Sequence, residues 1–197
     1  MTVILYQGHG SFRFTTSGGS VFYVDPYAGS GYDLPADAIL VTHEHRDHNA
    51  VELVPKKSGV RICRAAEFLA EGEYTSKEVC GVKITAVPAC NRNHPVDRCV
   101  GFVVETEGKK IYFSGDTSKT SAMGTVLRDM QIDCAFFPTD GIYNMNAKEA
   151  SECARLVGAK ASYPVHTAPG KLFDEKIAAR FDCPGKAIVR PGEEIVL

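Results

Sequence analysis

The chain has 197 residues, of which 44% are hydrophobic and 23% are charged. This is the composition of a folded globular protein rather than of a disordered, collagen-like or coiled-coil chain. We expect one domain over residues 1–197, because two halves of about 100 residues would each bury a smaller share of their surface. The 22 Lys and Arg residues against 24 Asp and Glu residues give a net charge of −2, so no basic excess indicates a nucleic-acid or anionic-membrane partner.

The pattern of apolar residues indicates neither a targeting segment nor a membrane span. No cationic segment leading into an apolar run opens the chain, and no stretch approaches the roughly 18 apolar residues of a spanning helix. The seven cysteines lack the close spacing of a zinc knuckle or a redox motif. We therefore expect a cytoplasmic protein with reduced thiols and no membrane partner.

The first predicted elements are short strands. Runs of β-branched and aromatic residues at Thr2–Gln7, Ser11–Phe14 and Ser20–Val24 are separated by glycine-rich segments, which predicts antiparallel hairpins with tight turns. Further apolar runs predict strands over the ranges Ala38–Thr42, Val60–Cys63, Val82–Val87, Val100–Glu105, Lys110–Ser114, Cys134–Pro138, Ala161–Val165 and Ala187–Arg190.

Helical periodicity is clearest in the second half of the chain. Ala147–Val157 places four small or apolar residues on one face after Asn146, a candidate N-cap. Four further segments are predicted to be helical: Ala50–Val54, Ala65–Glu71, Ala122–Met130 and Leu172–Phe181. Hairpins at the start and strand–helix alternation later predict an α/β fold, with two packed sheets and helices outside.

A dense histidine cluster points to metal chemistry. The segment 43–48 contains His43, His45, Asp47 and His48, directly after an apolar run. Imidazole nitrogens and carboxylate oxygens suit zinc and other first-row divalent metals. In an extended segment the first two histidines point the same way and could hold one ion, while the following turn carries the other two residues to a second ion. A helical H-E-x-x-H protease motif is excluded because Asp47 stands where the second histidine belongs.

Four more polar residues each follow an apolar strand-like run, the usual position of ligand sites in α/β sheets. They are Asp25, His94, Asp116 and His166. Taken alone, the two histidines are more typical of hydrogen-bonded structural residues, and the two aspartates suit a turn and a helix cap. The cluster at 43–48 is what favours a ligand role for them.

Two other residues are weighed separately. His9 has no spacing argument of its own and is left outside the ligand set. Tyr143 lies in the turn after the predicted strand that ends at Pro138, which makes it a candidate substrate contact, although most such turns are plain connections.

The order of these residues resembles the metallo-β-lactamase superfamily. The segment His43-x-His45-x-Asp47-His48 is followed by His94, Asp116 and His166, so the resemblance spans nearly the whole chain. Further motifs are similar to a branch of small metal-dependent hydrolases that includes L-ascorbate-6-phosphate lactonase. These motifs are Gly8–Phe12, Val24–Pro26, Phe113–Thr117, Gly141-x-Tyr143-x-Met145 and Pro164–His166. Asp140, which stands where a small residue is expected, departs from the pattern.

This resemblance implies a four-layer αββα sandwich with a dinuclear metal site between the sheet edges. It assigns His43, His45 and His94 to one ion, Asp47, His48 and His166 to the other, and Asp116 to a bridge between them. It also implies that Asp25 orients a ligand histidine.

The expected activity follows from that site. Two divalent ions would lower the pKa of a bridging water to roughly 7 and so supply hydroxide, and Asp47 would combine ligation with proton transfer. We expect a metal-dependent hydrolase of a small ester-like substrate, with a lactone or sugar-phosphate lactone ahead of a phosphodiester. Zinc is the first choice of metal, and manganese, iron or nickel suit the same ligands.

Two alternatives stay open at this point. One is a non-catalytic metal- or ligand-binding protein that retains the fold, and a weaker one is a redox role with iron. Polynucleotide substrates are disfavoured for want of a basic tract. The sequence leaves the oligomeric state open, a homo-oligomer included.

Overall fold

The structure is a computed structural model that describes residues 1–70 and 72–197. These residues form fourteen short strands and three α-helices. The strands are β1 (Val3–Gly8), β2 (Ser11–Thr15), β3 (Val21–Val24), β4 (Ala36–Val41), β5 (Lys56–Arg64), β6 (Leu69–Ala70), β7 (Glu73–Tyr74), β8 (Ser76–Val79), β9 (Val82–Pro88), β10 (Val100–Thr106), β11 (Lys109–Phe113), β12 (Cys134–Pro138), β13 (Ala161–Val165) and β14 (Glu194–Val196). The α-helices are α1 (Val126–Asp129), α2 (Ala147–Val157) and α3 (Glu175–Ala178), and 3-10 turns occur at Val51–Leu53, Ala65–Glu67 and Ser121–Gly124.

The strands form two six-stranded mixed sheets. The first has the order β14-β1-β2-β3-β4-β5, antiparallel as far as β3 and parallel from β3 to β5. The second has the order β13-β12-β11-β10-β9-β8, antiparallel from β8 to β11 and parallel from β11 to β13. The predicted hairpins at the start of the chain are confirmed as β1-β2-β3.

The main core lies between the two sheets. Alternate residues of each strand face inward, as the two-residue period of a strand requires. Phe12 and Phe14 of β2 are fully buried and meet Phe113 and Phe136 of the second sheet, with ring centroids 4.3 Å apart for Phe12 and Phe136. These aromatic contacts hold the two sheets face to face.

The outer faces of the sheets are covered unequally. Helix α2 buries Ala150, Cys153, Ala154 and Val157 in a cluster that includes Phe137 of the second sheet. The outer face of the first sheet is covered by a loop and a single 3-10 turn, in a cluster that includes Tyr23, Ile39, Val41 and Val54. The αββα sandwich is therefore confirmed, with a reduced outer layer on the first sheet.

The strand predicted over Ala187–Arg190 is wrong. In this segment the Ala187 N–H donates to the Ser162 carbonyl and Val189 is buried in the main core, but no strand ladder forms. The apolar pattern there reflects packing, and β14, which begins four residues after Arg190, supplies the edge strand instead.

The long helix predicted over Leu172–Phe181 is also wrong, since only α3 is helical. The Leu172 carbonyl accepts a hydrogen bond from the His9 N–H, which ties that part of the chain to the first hairpin. Asp174 caps the helix by accepting from the N–H groups of Lys176 and Ile177.

The other predicted helices are shorter than their patterns suggested, except α2, which matches its prediction. The segment Ala122–Met130 is broken at Thr125, whose φ of −128° and ψ of −95° are not helical. Ala50–Val54 contains one 3-10 turn. Ala65–Glu71 forms the 3-10 turn Ala65–Glu67 and then β6, and Glu71 lies outside the described residues.

Four short strands were missed: β6, β7, β8 and β14. They have only two to four residues, so sequence periodicity carries too little signal to find them. No helix of the described residues is long and apolar enough to cross a membrane.

Candidate metal centre

The predicted site residues come together where the strands of both sheets end. Asp25 directly follows β3, and His43 comes two residues after β4. In the second sheet His166 directly follows β13, and Asp116 comes three residues after β11. Because the two sheets pack face to face, these strand ends lie at one edge of the sandwich. Residues more than 100 positions apart in the chain therefore become neighbours.

Two groups of donor atoms match the predicted ligand sets, and a third, Asp25 with His43 and His48, shares one histidine with each of them. In the first, one donor atom from each of His43, His45 and His94 lies within 4.8 Å of the others. The second brings Asp47, His48 and His166 together within the same limit, and it also includes His9.

Asp116 lies between the two groups. Its Oδ2 is 3.3 Å from Nε2 of His94 and 3.5 Å from Nε2 of His166, and its Oδ1 is 3.2 Å from Nε2 of His48. One buried carboxylate therefore contacts histidines of both groups, the position that a bridging ligand requires.

Several of these atoms are buried without a hydrogen-bond partner among the described residues. They are Nε2 of His43, Nε2 of His48, both ring nitrogens of His166 and Oδ1 of Asp116. Buried polar atoms are nearly always paired, so unpaired donors and acceptors that converge on one region need a partner of another kind. Imidazole nitrogens beside a carboxylate oxygen fit divalent metal ions.

The outer nitrogen of each buried ligand histidine faces a polar atom behind it, through a hydrogen bond in three cases and at ion-pair distance for His166. Nδ1 of His43 lies 2.9 Å from Thr42 Oγ1, and Nδ1 of His48 lies 2.9 Å from Asp25 Oδ2. On the second sheet, Nδ1 of His94 lies 2.6 Å from Asn91 Oδ1 and Nδ1 of His166 lies 3.1 Å from Asp140 Oδ2. These contacts favour the tautomer that presents Nε2 to the centre, as metal-ligating histidines require.

The groups of the cluster shift the pKa values of one another. Burial raises the pKa of Asp116, but the adjacent His48 and His166 outweigh burial and hold that pKa well below its usual range. Burial likewise raises the pKa of Asp47, and hydrogen bonds with His166 and His9 outweigh it, so this pKa is also lowered.

The histidines of the cluster respond in opposite directions. Burial and the neighbouring His48 lower the pKa of His43. Burial lowers the pKa of His166 too, but Asp116 and Asp140 overcome this and raise it to about 9. The lowered pKa values of Asp47 and Asp116 hold both carboxylates ionised, the state in which they bind a cation.

The backbone near the centre adopts conformations that are rare for residues with a side chain. His9, Asp25 and His166 have φ values of 57°, 46° and 45°. Gly115, next to Asp116, has a φ of 59°, and a Cβ there would lie 2.9 Å from Cβ of Thr42 and 3.0 Å from the Val100 carbonyl. Left-handed residues of this kind cluster at functional sites because the surrounding structure must hold them in place.

His9 is the residue that sequence reasoning left out. It is fully buried, its Nε2 lies 3.1 Å from Oδ2 of Asp47, and its ring lies against that of His166 with centroids 3.6 Å apart and planes tilted by 40°. Its Nδ1 faces the Lys171 carbonyl at 3.0 Å. The signal available was its place between two glycines at the end of a strand, the same position that identified Asp25 and His166.

Asp140 and Asn91 were also missed as supports. Asp140 looked like a departure from the family pattern, yet it stands behind His166. Tyr143 is about half exposed and donates its backbone N–H to Asp140 Oδ1, so its role as a substrate contact stays a prediction.

The comparisons with known proteins bear on this geometry. The family model described as a beta-lactamase superfamily domain matches residues 3–166, a range that contains all seven predicted ligands. The chain belongs to the metallo-β-lactamase superfamily. Within it, the chain is 31% identical to a UPF0173 metal-dependent hydrolase of Thermococcus onnurineus, over 84% of each protein.

A second relative and a solved structure agree. The chain is 32% identical to a UPF0173 metal-dependent hydrolase of Ligilactobacillus salivarius, over 83% of this chain and 84% of that protein. A crystal structure assigned as a metal-dependent hydrolase from Parabacteroides distasonis superposes with a TM-score of 0.74 at 30% identity, covering 94% of this chain and 91% of that one. This superfamily member is therefore one of the metal-dependent hydrolases, which confirms the predicted enzyme class.

Proposed function

We propose that this hydrolase uses two divalent ions to open a small ester-like substrate, a lactone or sugar-phosphate lactone first and a phosphodiester second. The observation that supports it is the pair of donor groups joined by Asp116, beside an open cleft of small-molecule size. We treat residues 1–197 as one catalytic unit.

The ions are proposed to divide between the two groups. His43, His45 and His94 would hold one, Asp47, His48 and His166 the other, and Asp116 would contact both. Zinc is the first candidate, and manganese, iron or nickel fit the same donors. When bound, such ions lower the pKa of a water to near neutrality and polarise the substrate oxygen.

Asp47 is suited to proton transfer. Its side chain is 37% exposed, whereas that of Asp116 is buried, and His9 holds one of its carboxylate oxygens at 3.1 Å. An ionised Oδ atom at the edge of the centre takes the proton of the attacking water and returns it to the departing ring oxygen. Water adds to the carbonyl carbon, the ring C–O bond breaks, and the product is a hydroxy acid.

The adjoining cleft supports a small substrate. It has a volume of about 510 Å³ and lies against His43 and His45. This is within the range of roughly 300–1,000 Å³ that small-molecule sites occupy. Ala65, Ala66 and Pro95 supply apolar lining, and Arg98 is a cation on the same cleft, placed to bind the phosphate or carboxylate of a substrate.

The first test is metal content together with turnover. Protein purified without chelators should contain about two metal equivalents and hydrolyse members of a panel of lactones, phosphorylated lactones and phosphodiesters. His43→Ala should lose both metal and turnover. If turnover were unchanged in that variant the mechanism would be wrong, and full metal occupancy with no hydrolysis of the panel would favour the non-catalytic binding protein.

The second test addresses the substrate's charge. Arg98→Ala should raise KM for phosphorylated lactones by about tenfold or more, because a hydrogen bond to a charged group is worth roughly 1.5–3 kcal/mol, and should leave neutral lactones unaffected. Arg92→Ala, in the same loop but outside the cleft lining, is the matched control. Equal effects of Arg98→Ala on both classes would contradict recognition of an anionic group.

A further inference from the structure

A chain of polar contacts behind the centre links the two donor groups, with hydrogen bonds from His94 to Asp140 and an ion-pair contact between Asp140 and His166. It starts at His94 in the first group and ends at His166 in the second. From Nδ1 of His94 it passes to Asn91 Oδ1 at 2.6 Å, and Asn91 Nδ2 donates to Asn144 Oδ1 at 2.9 Å. Asn144 Nδ2 then donates to Asp140 Oδ2 at 2.9 Å, and that same oxygen lies 3.1 Å from Nδ1 of His166.

Each amide in this chain has one workable orientation. The backbone N–H of Asn93 donates to Asn91 Oδ1 at 2.8 Å, which identifies that atom as the oxygen. The Asn91 amide nitrogen must then donate to Asn144, whose own nitrogen must donate to the Asp140 carboxylate, since a carboxylate only accepts. Reversing either amide would place two donors or two acceptors against each other.

The far end of the chain is built into a closed turn. Asp140 Oδ1 accepts the N–H groups of Ile142 and Tyr143, both at 2.7 Å, so Oδ2 is free to serve Asn144 and His166. The Gly141 N–H closes the turn on the Met145 carbonyl. Asp140 and Asn144 are both buried, so their hydrogen bonds are shielded from competing water.

We propose that Asn144 is a positioning residue that couples the two metal subsites. It forms no hydrogen bond with a predicted ligand among the described residues, yet it alone of them joins Asn91, the support of His94, to Asp140 beside His166 through side-chain hydrogen bonds. A shift of one histidine is passed through it to the other. This inference rests on the proposed function, because it needs two ions.

Cobalt(II) binding provides a test that does not depend on turnover. Asn144→Leu keeps the branching of the side chain at Cγ and removes both hydrogen bonds. We expect it to weaken the binding of both cobalt ions by about tenfold or more, the usual cost of losing a support behind a ligand. The visible absorption of cobalt should change both when the first ion binds and when the second ion binds. A loss of stability confined to the turn around Asn144 would not change the spectrum at both steps.

Two further variants complete the design. Ile142→Ala is the control, because this side chain is 69% exposed in the same turn and only its backbone N–H is used. Asn91→Asp keeps the acceptor for His94 but sets a carboxylate oxygen against Asn144 Oδ1, so it breaks the chain at another link. The cobalt affinity of the double variant Asn91→Asp/Asn144→Leu should equal that of whichever single variant binds cobalt less tightly, since the two substitutions break the same connection.

The outcomes separate this inference from the proposed function. If the parental protein binds fewer than two cobalt ions, the dinuclear proposal itself fails. If it binds two and Asn144→Leu matches it in affinity and spectrum, or changes only the second step of the titration, the coupling role is overturned. Should Asn144→Leu not fold, the Asn91→Asp variant decides by the same readouts, an effect at both steps supporting the coupling and an effect at one step or none overturning it.

Discussion

At the residue scale, the Asp25 side chain makes several of the contacts that organise this site. Its Oδ1 accepts the Thr42 N–H at 2.7 Å, and its Oδ2 accepts the Thr42 hydroxyl at 2.6 Å and lies 2.9 Å from Nδ1 of His48. Its own carbonyl accepts the hydroxyl of Ser11. One carboxylate therefore joins the end of β3 to the start of the histidine segment and sets the orientation of His48.

We predict that Asp25→Asn weakens metal binding by roughly 10–100-fold, the range seen when a support behind a ligand is lost. The amide oxygen can still accept from the Thr42 N–H, but the amide nitrogen then faces Nδ1 of His48 with a second donor. Chelator competition measures the affinity. Asp37→Asn, in the same sheet and remote from the centre, should bind as the parent does, and an unchanged affinity in Asp25→Asn would refute the orienting role.

A second residue, Glu107, makes a pH-dependent contribution to stability. The hydroxyl and backbone N–H of Ser17 both donate to Oε1 of Glu107 at 2.6 Å. These hydrogen bonds lower the pKa of Glu107 from its ordinary 4.5 to about 2. A carboxylate with a lowered folded-state pKa contributes stability above its unfolded pKa and loses it as pH falls through the folded value.

Glu107→Gln should accordingly lower the free energy of unfolding at neutral pH, and its difference from the parent should shrink between about pH 4.5 and pH 2. Urea unfolding at several pH values measures this. Glu78→Gln removes an exposed carboxylate that accepts no hydrogen bond from the described residues, and should show no such dependence. A difference that stays constant across that pH range would contradict the assignment.

At the scale of an element, helix α2 is the best example of local sequence rules deciding structure. Asn146 caps it by accepting the Glu149 N–H at 3.0 Å, and Gly158 ends it in the left-handed conformation with a φ of 67°. The face between these signals is buried against the second sheet, whose strands carry His94, Asp116 and His166 at their ends. The helix thus supports the sheet that supplies half of the centre.

We predict that Asn146→Ala costs about 1 kcal/mol of stability, because the Glu149 N–H loses its acceptor. For a chain of this size that lowers Tm by roughly 2–4 °C. Calorimetry checks the shift. Lys148→Ala, an exposed change in the same helical turn, should stay within about 0.5 kcal/mol of the parent, and an equal loss in both variants would argue against the cap.

At the scale of the whole molecule, the centre depends on both sheets. The first sheet contributes the segment 43–48, and the second contributes His94, Asp116 and His166. An ion held by donors from both sheets binds the folded state and not the unfolded chain, so it stabilises the sandwich as a unit.

Metal removal should therefore lower thermal stability. A ligand present at 100 times its Kd adds about 2.7 kcal/mol, which corresponds to a Tm shift of roughly 5–10 °C for this chain length. Scanning calorimetry before and after dialysis against a chelator measures it, and adding zinc back should restore the higher Tm. A Tm that is the same with and without measured metal would contradict a centre shared between the sheets.

The sequence alone predicted the features that depend on local chemistry. The two-residue period of the strands and the caps of α2 predicted most of the long elements. The density of His43, His45, Asp47 and His48 predicted a metal site, and the hydrolase class came from the resemblance of the whole ligand order to a known superfamily. These signals are readable because each depends on residues within a few positions of one another.

Only the tertiary structure decided what stands around the donors. His9 meets Asp47 across 38 positions, and the chain through Asn91, Asn144 and Asp140 joins two loops that the fold brings together. The helix pattern at Leu172–Phe181 and the strand pattern at Ala187–Arg190 were overruled in the same way, by contacts with β1, His9 and β13. Such contacts follow from how two sheets pack, and no local period in the sequence records that packing.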